Sequence, residues 1–64
     1  MEQPLTPYIE VGTYVEVVGM DIRGRVTNIQ LDERDAAIVI VELDDATATP
    51  TGLYIARPFE LRAL

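Results

Sequence analysis

The hydrophobic positions of this chain fall into short clusters, and the densest is Ala36–Leu43, which reads AAIVIVEL. A run of that length, rich in β-branched side chains and bounded by acidic stretches, suits one buried strand and is short for a helix. Alternation puts Ala37, Val39, Val41 and Leu43 on one face and Ile38, Ile40 and Glu42 on the other. A strand that is apolar on both faces needs cover on both. In so small a chain the second cover is expected from another part of the chain or from a second copy.

The remaining clusters also read as strands. Thr13–Val18 (TYVEVV) alternates, with Val15 and Val17 on one side and Tyr14, Glu16 and Val18 on the other. Glu10-Val11-Gly12 predicts a turn into it, and Gly19-Met20-Asp21 breaks it. Ile22–Leu31 (IRGRVTNIQL) changes parity part-way, because Gly24 and Val26 occupy even positions while Ile29 and Leu31 occupy odd ones. A one-residue bulge near Thr27-Asn28 would return all of them to one core and bend the strand sharply. Asp32-Glu33-Arg34-Asp35 predicts a charged hairpin turn into the central strand. Asp44–Gly52 (DDATATPTG) reads as a loop and Leu53–Arg57 as a fourth strand. Pro58-Phe59-Glu60 suits one 3-10 turn with proline first, and Leu61–Leu64 a last strand. Ahead of all this, Pro4 and Pro7 predict an extended arm over residues 1–10, leaving residues 11–64 as the folded unit. Leu5, Tyr8 and Ile9 are expected to pack that arm onto the fold. Pro4-Leu5-Thr6-Pro7 also matches a PxxP ligand pattern, which is short and common.

The expected fold class is therefore all-β. Five short strands, a bent second strand and a 3-10 turn before the last strand resemble the SH3-like small barrel. The resemblance is carried by Gly12-x-x-Val15-x-Val17, Gly24-x-Val26-x-x-Ile29, Ile38–Leu43 and Pro58-Phe59-Glu60-Leu61. The stretch VEVVGMDIRGRVTNIQLD is similar to the first motif of the Sm/LSm RNA-binding family, and Tyr54-Ile55-Ala56-Arg57 is similar in part to its second. That likeness implies a ring that binds single-stranded RNA. The family's RNA-contacting Asn would fall near Ala36-Ala37 and its Arg-Gly on Arg57-Pro58, so those residues are not carried over. PFELRAL is similar to the ends of small barrels that serve as accessory subunits of larger enzymes. A shared small-barrel fold does not by itself imply a function.

Composition narrows the functions. A chain of 64 residues holds one small core and buries only about 60% of its unfolded surface. Without Cys or His, neither a disulfide nor the usual zinc ligands can reinforce it. Oligomerisation is the remaining support. The net charge of −6 repels phosphate and anionic lipid, so nucleic acid and membrane surfaces are disfavoured partners. No apolar run approaches the roughly 18 residues of a membrane span, and MEQPLTPYIE lacks the basic and apolar regions of a signal peptide. A cytoplasmic protein is expected.

The chemistry is equally restricted. With no Ser, Cys, His or Lys, no nucleophilic triad or Schiff base can be assembled. No enzyme activity and no cofactor are expected. Asp32, Glu33, Asp35, Asp44 and Asp45 could offer oxygens to a hard cation, but they lack the Gly and distal Glu of a calcium loop. They read as solvated turns, and no metal site is assigned. The expected function is protein–protein contact, as a self-associating barrel or an accessory subunit, with Ile38, Ile40, Tyr14 and Tyr54 as the contact surface. Tyr8 and Phe59, and the arginines Arg23, Arg25 and Arg57, are secondary candidates for gripping a ligand through aromatic or cationic contacts.

Overall fold

The computed structural model describes residues 9–64. Its elements are β1 (Tyr14–Val17), β2 (Arg23–Leu31), β3 (Ala37–Leu43), β4 (Leu53–Ala56), a 3-10 turn at Pro58–Glu60 and β5 (Leu61–Ala63). Every ladder is antiparallel, and the strands form one sheet in the order β4-β3-β2-β1-β5. The chain is all-β, as its alternation predicts, and each expected strand forms within a residue or two of its expected ends. Tyr8 and most of the expected arm lie outside the described residues.

The parity switch in β2 is a bulge. The register against β3 shifts between Val26 and Asn28, leaving Thr27 as the extra residue. Beyond it Ile29 pairs with Val39 and Leu31 with Ala37, so the inward face is restored. Ile29 packs against the core. Leu31 does not, and stays 65% exposed. The pairing of β3 with β4 reaches only as far as Val39–Ala56, and that of β2 with β1 only as far as Arg25–Tyr14. The tip of the β2–β3 hairpin is therefore a two-stranded ribbon with no neighbouring strand to cover it.

The core is purely aliphatic: Val15, Val17, Val26, Val39, Val41, Leu43, Ala56 and Leu61. No polar or charged residue is buried with them among the described residues. Gly24, on the same face between Val15 and Leu43, has to be bare. A Cβ there would collide with the Glu42 carbonyl of the neighbouring strand.

The expected closed barrel is not formed. β4 and β5 make no ladder with each other, and both remain edges of an open sheet. Two physical causes are visible. The strands are short, and the outward backbone groups of Leu53 and of Arg57, just past the end of β4, are already occupied. Leu43 N–H donates to Gly52 C=O (3.0 Å), so alternation aims residues 54 and 56 at β3 and residues 53, 55 and 57 outward. Of these, Leu53 N–H donates to Thr51 Oγ1 (3.3 Å) and Leu53 C=O accepts from Thr49 Oγ1 (2.9 Å). Arg57 N–H donates to Glu60 Oε2 (2.8 Å), and Arg57 C=O accepts from Glu60 N–H (2.9 Å).

Candidate interaction surface

Residues opposite one another across a ladder share a face, so the registers define the outer surface of the sheet directly. One corner of it is aliphatic. Ile40 pairs with Ile55 and Glu42 with Leu53, while Ile38 lies two residues from Ile40 on the same side. Ile38 and Ile40 are half-buried, whereas Ile55 is 66% and Leu53 39% exposed. These side chains meet because β3 and β4 are both uninterrupted, strongly β-forming strands without a bulge between them.

Past Asn28 and Gln30, which stand opposite Ile40 and Ile38, the rest of the outer face is a balanced array of charges around Tyr14. Glu16 lies between Arg62 on β5 and Arg23 on β2. Asp44 adjoins Arg23 through its backbone N–H, which donates to Arg23 C=O (2.9 Å). In the next row Tyr14 pairs with Arg25, and Arg25 with Glu42. Arg62 Nε donates to Glu16 (3.0 Å). The Arg25 guanidinium lies 5.7 Å from the Tyr14 ring centroid and donates to Gly12 C=O (2.9 Å). The Tyr14 hydroxyl donates to Asp44. That bond to a carboxylate, with lesser contributions from burial and from the Asp44 charge, raises the Tyr14 pKa above 10.0, against the pull of Arg23 and Arg25.

The acids and arginines divide unevenly over the molecule. Glu16, Glu42 and Asp44 balance Arg23, Arg25 and Arg62 on or beside this face, and Asp32 pairs with Arg57. What is left is Glu2, Glu10, Asp21, Glu33, Asp35, Asp45 and Glu60 against Arg34, which accounts for the whole net charge of −6. Among the described residues, that surplus occupies loops and turns.

The residues singled out from the sequence separate accordingly. Ile38, Ile40 and Tyr14 share the outer face, with Tyr14 across the sheet from the two isoleucines. Tyr54 does not join them. It pairs with Val41, packs against the core, and donates its hydroxyl to Met20 Sδ (3.6 Å), because it stands opposite an inward residue of β3. Arg23 and Arg25 point the same way, as expected, but Arg25 is engaged by Tyr14 and Gly12. Arg57 is a tie within the fold: it donates to Asp32 (2.7 Å) and to Ala37 C=O (3.3 Å). Phe59 is 73% exposed on the 3-10 turn and takes part in no ladder. The sequence reading missed Ile55 and Leu53. Their signal was the alternation of LYIA, in which Tyr54 and Ala56 take one side and Leu53 and Ile55 the other.

The acidic turns cap themselves. Asp32 accepts from Arg34 N–H (2.7 Å) and Ala36 N–H (3.0 Å). Those two backbone bonds, then Arg57, hold its carboxyl below the ordinary value of 3.8. Asp45 accepts from the Thr47 hydroxyl (2.6 Å) and N–H (3.0 Å), which lowers it in the same way.

Compared with protein-family models, curated proteins and solved structures, the chain finds no match.

Proposed function

We propose that the chain is a non-enzymatic, SH3-like small β-protein of the cytoplasm that works by protein–protein contact, and that its partner at the aliphatic corner is a second copy of itself. The observation that carries this reading is the cluster of Ile38, Ile40, Leu53 and Ile55 on a face without surplus charge, in a chain whose net charge lies elsewhere. Two copies can appose such faces without bringing like charges together, and burying the corner would cover the second side of β3. The strand order, the bulged β2 and the 3-10 turn between β4 and β5 support the small-barrel reading, with the last two strands unjoined.

The RNA-binding alternative draws little support from the arginines. Arg25, Arg57 and Arg62 are held by a ring, carbonyls and carboxylates of the chain itself. That leaves Arg23 and Arg34 to meet phosphate against a large acidic surplus.

Light scattering coupled to size exclusion tests the reading. The chain weighs 7.1 kDa, and a dimer or tetramer mass is expected that returns to the monomer in Ile55→Asp and in Ile40→Asp. A monomer at every concentration, or an oligomer indifferent to both substitutions, overturns it.

A further inference from the structure

Three side chains from outside β4 close outward backbone groups of Leu53 and of Arg57, the residue that follows the strand. Thr49 and Thr51 belong to the β3–β4 loop, and Glu60 ends the 3-10 turn. Thr49 gives its hydroxyl proton to Leu53 C=O, Thr51 takes the Leu53 N–H, and Glu60 takes the Arg57 N–H. Among the described residues, the N–H and C=O of Ile55 are the outward groups of that edge left without a partner. The other edge differs. Val18 N–H donates to Glu60 C=O (2.8 Å) and Leu64 N–H to Tyr14 C=O (2.9 Å), so alternation turns Leu61 and Ala63 outward. Leu61 N–H is taken by Pro58 C=O, but Leu61 C=O and both backbone groups of Ala63 have no partner among the described residues.

An uncharged edge strand without proline or bulge is a template for strand addition. Leu53–Ala56 is such a strand in composition. We propose that Thr49, Thr51 and Glu60 guard the β4 edge, and that the strand they exclude is β5 of a second copy. Joining β4 to β5 is a head-to-tail contact between different surfaces, so it repeats without limit unless the rotation closes it. The guard keeps association from becoming open-ended. It does not depend on the isoleucine corner, so the test is made where that corner is disabled.

In the unaltered chain, amide hydrogen exchange compares three outward N–H groups on one edge. Leu53 and Arg57 are expected to exchange about tenfold or more slowly than Ile55, because their donors are bonded and Ile55's is not. In an Ile40→Asp background, Thr49→Val with Thr51→Val keeps side-chain size and removes both hydroxyls. The expected result is a mass that grows with concentration and is brought back by adding Ala63→Pro, which deletes an outward donor of β5. Thr49→Ser with Thr51→Ser retains the hydroxyls and is expected to leave the mass unchanged. Equal exchange at Leu53 and Ile55 overturns the proposal. So does a folded valine variant whose mass does not change, or growth that ignores Ala63→Pro. Because the exchange measurement needs no substitution, a valine variant that failed to fold would leave the decision to it. Loss of association in Ile40→Asp alone bears on the corner and not on the guard.

Discussion

The two faces of this sheet are made from the same strands and differ in almost every physical respect. The inner face of β3 presents Val39, Val41 and Leu43, none more than 5% exposed, and meets aliphatic neighbours together with the half-buried ring of Tyr54. Its outer face presents Ile38, Ile40 and Glu42, flanked on one side by Gln30, Asn28 and Arg25 of β2 and on the other by open apolar surface at Ile55. One face buries no polar or charged residue among the described residues and fixes the fold. The other has its charges balanced and its apolar part uncovered, and it carries the proposed contact. A single alternating strand thus separates stability from recognition by one residue of offset.

The comparison breaks if the faces respond alike to truncation. Leu43→Ala should cost about 2–5 kcal/mol, since it empties a site the strands cannot refill. Ile55→Ala should cost about 0.5 kcal/mol or less in a monomer. Chemical denaturation of both variants at low concentration checks this, and equal losses would erase the distinction. Gly24→Ala sharpens it from the backbone side. The methyl would be driven into the Glu42 carbonyl, and a loss of about 1–3 kcal/mol is expected although a side chain has been added to an apolar face. The outer face should instead answer to salt. Screening the loop acids should strengthen association of the unaltered chain between low and moderate ionic strength, measured as the dimer dissociation constant; weakening would mean that charge pairs across the contact dominate.

The smallest effects come from titration. Asp32 has a folded pKa below 3.8. Its contribution is complete above that ordinary value and is lost as pH falls through the folded one. Asp32→Asn should flatten stability on the acid side only. Tyr14 behaves oppositely, with a folded pKa above 10.0. Its contribution is complete below 10.0 and is lost as pH rises through the folded value, so Tyr14→Phe should flatten the alkaline limb. Denaturation midpoints followed across pH separate the two.

Most of the fold was legible because each strand carries its own signal. The period of β1 and β3 is unambiguous, and the bulge in β2 announces itself as a change of parity at Thr27. Closure was not legible. β4 and β5 stay unjoined, and the placement of the Thr49, Thr51 and Glu60 side chains on the backbone of Leu53 and Arg57 is something no periodicity encodes. The candidate surface was half legible. Ile38 and Ile40 follow from alternation within one strand, but assigning Tyr54 or Ile55 to their side requires the register between β3 and β4, which a sequence of LYIA alone does not supply. The tie that Arg57 makes within the fold was hidden for a related reason. Its partner Asp32 lies in a turn 25 residues away, brought near only when the sheet has formed.

The distribution of the acids has a consequence for how two molecules would meet. Approaching copies repel wherever loop faces loop, and least where outer face meets outer face. In the proposed self-association the surplus charge would therefore work as a filter on encounter geometry, slowing collisions as a whole and enriching the productive orientation among those that succeed.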